Sequence, residues 1–148
     1  MQVRKATAED IASIVDFQLK MAAETEGIQL DEATVFKGVS AVVEDSGKGQ
    51  YYVTEINEKL VASLLTTFEW SDWRNGTILW IQSVYVLKEY RRKGVYRNMY
   101  SHIKNLVLEN EKLNGIRLYA DKSNTPAHKT YQELGMNHDH YVTFEWLK

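Results

Sequence analysis

The sequence predicts an α/β fold, an α+β mixed sheet with helices on both faces, and three observations carry that expectation. Two helical stretches, each with an apolar stripe, come before any long strand. Three strand-like runs then follow one another with tight-turn signals between them, as in an antiparallel meander. Last come a strand, a long helical stretch and another strand, the succession that makes neighbouring strands parallel. The whole order reads β-α-α-β-β-β-α-β-α-β.

Gln2 to Ala6 is a short strand-like opening. Thr7 and Asp10 resemble a capping box, whose hydroxyl and carboxylate satisfy orphan amides of a helix's first turn. Ile11, Ile14, Val15 and Ala22 form one helical stripe until Gly27 interrupts it. Asp31 is placed to cap a second helix carrying Val35, Val39, Val42 and Val43, which Asp45-Ser46-Gly47 ends. Tyr51 to Ile56 is rich in strand formers, Asn57-Glu58-Lys59 reads as a turn, and Leu60 to Trp70 as a second strand of the meander. Asn75-Gly76 is a hairpin signal because both residues tolerate positive φ, and Thr77 to Leu87 is apolar enough to be central. Val95, Met99, Ile103, Leu106, Val107 and Leu113 keep a helical period. Gly115 resets the chain, and alternation up to Asp121 predicts a strand parallel to Thr77–Leu87. A short helix from Thr125 to Leu134 closes at Gly135, and Tyr141 to Trp146 alternates as a final strand.

The chain has 148 residues, 44% of them hydrophobic, and folding at this length buries roughly 68–70% of the unfolded surface. No linker, repeat or low-complexity tract interrupts it, so one domain over 1–148 is expected. The absence of cysteine excludes disulfides, thiolate zinc sites and cysteine nucleophiles. His138 and His140, two apart, would share a face of a strand, but no third ligand stands near them, so no metal is expected; His102 and His128 read as surface residues. Eighteen basic residues against twenty acidic ones give a net charge of −2, which argues against partners that are nucleic acid or anionic membrane. No apolar run approaches the ~18 residues of a membrane span, and the opening MQVRKATAED has no signal-peptide core. The expectation is a cytoplasmic protein, monomer or homodimer.

The first chemistry lies where the last meander strand gives way to the long helix, in Val84-Tyr85-Val86-Leu87-Lys88-Glu89-Tyr90-Arg91-Arg92-Lys93-Gly94-Val95-Tyr96-Arg97. A helix amino terminus offers backbone amides and a partial positive charge to a phosphate. Arg91, Arg92, Lys93 and Arg97 add cationic donors, and Gly94 lets the backbone approach an anion. A Walker loop would need Gly-Lys-Ser/Thr and a Rossmann loop three glycines, so neither applies. On spacing alone, the same stretch is equally a solvated basic turn. The second stretch is Asn124-Thr125-Pro126-Ala127-His128-Lys129-Thr130-Tyr131-Gln132-Glu133-Leu134-Gly135-Met136. Asn124 sits at the end of a strand, Ala127 keeps one helix face low, and Tyr131 follows it one turn later on the same side. Without further context Tyr131 is a packing tyrosine.

Together these stretches resemble the GNAT superfamily of acyl-CoA-dependent N-acyltransferases. Arg91-Arg92-Lys93-Gly94-Val95-Tyr96 is similar to its signature Arg/Gln-x-x-Gly-x-Gly/Ala, with Tyr96 standing where the small residue belongs. The second stretch matches Asn-x-x-Ala-x-x-x-Tyr-x-x-x-Gly-Phe/Met at every fixed position. The order of elements fits the superfamily over the whole chain.

The resemblance implies an N-acetyltransferase with acetyl-CoA as cosubstrate and an amine-bearing acceptor, a small molecule, peptide or protein. It implies that the pantetheine arm pairs with Val84, Tyr85 and Val86 like an added strand, and that the Val86 amide holds the thioester oxygen. Arg91, Arg92, Lys93, Gly94, Val95, Tyr96 and Arg97 would take the pyrophosphate, Asn124 and Ala127 the thiol arm, and the Tyr131 hydroxyl would protonate the departing thiolate. With no cysteine to carry the acetyl group, direct transfer is expected. Several relatives carry a glutamate where Gln82 stands; an amide cannot accept a proton but can orient water or acceptor. Glu69 is a possible substitute base, or simply a solvated strand-end carboxylate. Glu24, Glu26, Asp31 and Glu32 cluster between the first helices and could attract a cationic amine, although Asp31 and Glu32 equally suit a helix start. Trp70, Trp73 and Trp80 wall an acceptor site or form core and hairpin rim. A non-catalytic CoA-binding regulatory module is the alternative reading.

Overall fold

The structure is a computed structural model and describes residues 1–148. It forms two compact units, Met1–Arg117 and Leu118–Lys148.

The first unit holds one five-stranded sheet in the order β1(Gln2–Lys5), β2(Gln50–Ile56), β3(Lys59–Ser71), β4(Gly76–Val86) and β5(Leu113–Arg117). β1 to β4 are antiparallel neighbours, and β5 lies parallel to β4. The parallel pair requires the crossover that the sequence predicts, and α3(Val95–Glu109) supplies it. α1(Ile11–Glu26) and α2(Glu32–Glu44) come between β1 and β2. Strand alternation sorts the faces. Tyr51 and Val53 pack with Ile14 and Val15 of α1 and Val39 of α2, whereas Tyr52 between them meets the His102 ring of α3 at 5.5 Å. His102 is therefore half-buried rather than a surface residue. No helix is long and apolar enough to cross a membrane.

Local signals placed most ends correctly. Thr7 N–H donates to the Asp10 carboxylate at 2.8 Å, and a 3₁₀ turn over Ala8–Asp10 leads into α1. Arg4 of β1 adds bonds of 2.7 and 3.0 Å to the same carboxylate. Asp31 caps α2, accepting from Thr34 N–H at 2.8 Å. Asn57 and Glu58, at φ +50 and +61, make the two-residue turn between β2 and β3.

Four expectations need correction. Asn75 has positive φ but Gly76 does not turn the hairpin: it opens β4, and a Cβ there would lie 1.6 Å from the Asn114 side-chain oxygen. Gly76 is small because the chain entering β5 passes against it. Leu113 does not continue α3; it starts β5 opposite Thr77, where strand pairing outweighs its helical spacing. That strand ends at Arg117 instead of Asp121. The final strand over Tyr141–Trp146 is absent, and Tyr141, Val142, Phe144 and Trp146 are exposed. Alternation gives a segment two faces, but a strand exists only where a neighbour pairs its backbone.

Candidate active site

The site is built on the end of β4. Its pairing with β5 runs from Thr77 opposite Leu113 to Trp80 opposite Arg117 and stops, while its pairing with β3 continues to Val86. From Ile81 to Val86, β4 has a strand on one side only. Between the pairs Leu65–Gln82 and Ser63–Tyr85, β4 carries one residue more than β3, a bulge at Ser83–Val84 with Ser83 at φ +53. Leu87 N–H donates to Val61 C=O at 2.9 Å, so the adjacent Val86–Ala62 pair is of the non-hydrogen-bonded kind. The N–H and C=O of Val86 consequently both point away from β3, toward the open edge. The carbonyl is taken by Arg91 Nε at 2.8 Å.

The loop after β4 makes a 3₁₀ turn over Lys88–Tyr90, then passes through left-handed backbone at Arg92 (φ +60) and Gly94 (φ +78) into α3. The α3 ladder begins with Asn98 N–H to Gly94 C=O at 3.0 Å, and no side chain caps the helix. The amides before Asn98 lie outside the ladder at the positive end of a helix of 15 residues. Nothing lies within 4 Å of a Cβ added at Gly94. Arg91, Arg92, Lys93 and Arg97 are exposed around this point, and buried Val95 anchors the helix start in the core. The Tyr96 ring packs against Tyr100 at 6.4 Å, so its bulk runs along the helix.

The side chains of Gln82, Glu69 and Glu24 are all engaged. Gln82 donates its amide nitrogen to the Thr67 hydroxyl at 2.6 Å, which leaves its carbonyl oxygen as acceptor. Glu69 pairs with Arg117 across β4, level with Ile78 and away from the open edge. Glu24 accepts from the Tyr85 hydroxyl at 2.8 Å and from Arg91 at 2.6 Å, with Lys88 at 3.6 Å. Partial burial alone would raise the Glu24 carboxyl, but the hydrogen bonds from Arg91 and Tyr85 hold it below its ordinary value. Burial, with the bond to Glu24, pushes the Tyr85 hydroxyl up to about 12, so it stays a neutral donor. An open cleft of about 840 Å³ runs beside this cluster, lined among others by Phe17, Glu24, Leu60, Tyr85 and Leu87. Glu26 and Glu32 are exposed, Trp70 and Trp73 are 65% and 90% exposed at the hairpin end, and Trp80 is half-buried.

The second unit is organised by α4(Thr125–Glu133). Asn124 is not at a strand end: its side-chain oxygen caps α4, accepting from Ala127 N–H at 3.2 Å, because β5 has already finished at Arg117. Ala127 and Tyr131 are half-buried one turn apart. Gly135 N–H donates to Gln132 C=O at 2.9 Å and Met136 N–H to Tyr131 C=O at 3.0 Å, the paired bonds of a Schellman ending. His128 meets the Asp121 carbonyl at 2.8 Å. No group of three or more His, Cys, Asp or Glu is placed to hold a metal ion.

The first unit thus brings together Gln82, Val84, Val86, Arg91, Gly94 and Glu24, while Asn124, Ala127 and Tyr131 belong to the second. Sequence reasoning missed Ser83, Thr67, Lys88 and Arg117. Gln82-Ser83-Val84 carries no bulge signal, and the other three matter only through partners distant in sequence.

A model of the acetyltransferase (GNAT) family matches residues 17–136. The chain belongs to that family, whose members transfer acyl groups. It is similar to the crystal structure of a possible acetyltransferase from Clostridium difficile 630, with 44% identity over 99% of this chain and 97% of that one and a TM-score of 0.93. The fold is shared with a predicted acetyltransferase from Clostridium acetobutylicum solved with acetyl-CoA (20% identity, 97% and 95% covered, TM-score 0.73). It is shared also with the ribosomal-protein-alanine N-acetyltransferase of Brucella melitensis biovar Abortus 2308 (11% identity, 99% of each chain, TM-score 0.80). A search of curated proteins gives no match.

Proposed function

We propose that this protein transfers the acetyl group of acetyl-CoA directly to a primary amine of a small molecule, peptide or protein. The observation that carries the reading is the open edge of β4. Beyond Trp80 it lacks its β5 neighbour, and it presents the Val86 N–H just before the uncapped, arginine-rich start of α3. An extended pantetheine arm suits such an edge as a further strand would, and the pyrophosphate suits the helix start. The family match and the neighbour solved with acetyl-CoA support the same cosubstrate.

In this reading the Val86 N–H donates to the thioester oxygen, and more strongly to the oxyanion formed when a neutral amine attacks. The ammonium proton lost after attack passes to water oriented by the Gln82 carbonyl oxygen, since Glu69 is held by Arg117. The C–S bond then breaks, and the Tyr131 hydroxyl protonates the leaving thiolate, a role that rests on the family's second motif. Transfer needs no enzyme-bound acyl group, as the chain has no cysteine.

The engagement of Glu24 by Arg91 and of Glu69 by Arg117 leaves no free carboxylate base and favours one competing reading, a module that binds CoA without turning it over. Thiol release from acetyl-CoA against a panel of primary amines decides: release dependent on one amine class supports the enzyme, and tight CoA binding with no release on any amine sinks it.

A further inference from the structure

Glu24 stands on α1, sixty-seven residues from Arg91, yet its carboxylate meets the Arg91 guanidinium at 2.6 Å. The same guanidinium donates through Nε to the Val86 carbonyl at 2.8 Å and lies 5.3 Å from the centre of the Tyr85 ring. Glu24 also holds the Tyr85 hydroxyl at 2.8 Å. Tyr85 is buried against Phe17 of α1, with ring centres 5.5 Å apart. One carboxylate on α1 therefore fixes both the residue before Val86 and the cation on its carbonyl.

The consequence lies at the open edge. Val86 turns a donor and an acceptor away from β3. A bare carbonyl beside a developing oxyanion would repel it, and a guanidinium on that carbonyl occupies one of its lone pairs and offsets its negative end with positive charge. The Val86 N–H is then the group left to meet the thioester. Arg91 can keep this place only while something holds its other end, because an exposed arginine otherwise samples many rotamers.

We infer that Glu24 is a positioning residue for acyl transfer, acting through Arg91 and Tyr85 on the Val86 peptide, and that it does not bind the acceptor amine. Its charge supports the second half: one carboxylate faces two cations, Arg91 at 2.6 Å and Lys88 at 3.6 Å, so no net negative charge is left to attract an ammonium. This inference rests on the reading of Val86 given above.

The test uses Glu24→Gln, Arg91→Met and the double variant, each checked for an unchanged circular-dichroism spectrum and melting. The amine that the parent turns over fastest serves as acceptor. Glu24→Gln keeps an acceptor for Tyr85 but loses the charge that holds Arg91. We expect kcat to fall about tenfold with both KM values within about twofold, because the Val86 donor matters most in the transition state. Arg91→Met should lower kcat to the same extent, its KM for acetyl-CoA rising besides because Arg91 also faces the pyrophosphate. In kcat the double variant should be no worse than Arg91→Met alone, as groups acting in series are not additive. A raised KM for the amine with unchanged kcat would overturn the inference in favour of acceptor binding. Losses that multiply in the double variant would overturn it in favour of independent roles. The carbonyl-13C resonance of Val86 is a readout independent of turnover: it should move the same way in Glu24→Gln and Arg91→Met. If the parent releases no thiol with any amine, the proposed function fails, and this resonance still decides whether Glu24 governs the Val86 carbonyl.

Discussion

Substitution of Gly94 separates the shape of the loop before α3 from its charge. Gly94 holds φ +78 and ψ 6, a left-handed conformation that costs an L-residue about 1–2 kcal/mol. Nothing lies within 4 Å of an added Cβ, so Gly94→Ala introduces no clash. The stiffer unfolded chain returns about 0.4–1 kcal/mol. The expected net loss is about 0.5–1 kcal/mol, which for a chain of this size lowers Tm by roughly 1–4 °C. Gly94→Glu carries the same backbone cost but sets a carboxylate at the start of α3, where the helix dipole favours it by about 0.3–1 kcal/mol. Its melting temperature should therefore match or exceed that of the alanine variant. Toward CoA the sign reverses. A carboxylate about 5 Å from a phosphate charge, at an effective dielectric of about 20, costs about 3 kcal/mol, on the order of 100-fold in Kd. Calorimetric titration of CoA into the three proteins at about 0.1 M salt measures this. The alanine variant should bind nearly as the parent does and the glutamate variant far more weakly, although it is no less stable. If the glutamate variant binds CoA within about threefold of the alanine variant, the α3 start is not where the pyrophosphate sits.

Asp10, its side chain 5% exposed, takes two hydrogen bonds from Arg4, and that guanidinium holds its carboxyl below the ordinary value. The folded chain thus binds this proton more weakly than the unfolded chain. The stabilisation is complete above about pH 5 and is lost as pH falls through the depressed folded value. Asp10→Asn should lose roughly 1–3 kcal/mol near neutral pH and less in acid, read from urea midpoints across the pH range. Leu64 is fully buried on β3, so Leu64→Ala should cost about 2–5 kcal/mol by urea unfolding without a change in m-value. Tyr131→Phe should lower kcat by about 100-fold or more and reshape the alkaline side of the kcat–pH profile; an unchanged rate and profile would remove the general-acid role.

How far the sequence could be read depended on the reach of each signal. Asp31 announced a helix start because a cap bonds within its own turn, and the structure shows that bond to Thr34. The crossover through α3 was legible because helical and strand periods alternate along the chain there. Leu113 misled because one leucine fits either period, and only its place opposite Thr77 resolves it. Tyr141–Trp146 misled for the complementary reason: its alternation is complete, but no pairing follows from it. In the site, Arg91 and Gly94 were visible as residue types in a familiar spacing. The Val86 edge was implied only by the family resemblance, since the residues themselves carry no sign of the bulge at Ser83 or of where β5 stops.

Neighbouring residues alone specify the order of elements as far as α4, the two motifs and the family they announce. The sequence by itself also determined that no cysteine can carry the acyl group. Tertiary structure alone decided what the charges do. Glu24, which in sequence belongs to an acidic cluster free to greet an amine, is bonded to Arg91 and Tyr85, and Glu69 is tied to Arg117. The physical reason is reach. Charges and strand edges act on whatever folding brings within a few ångströms, and chain separation says little about which group that will be.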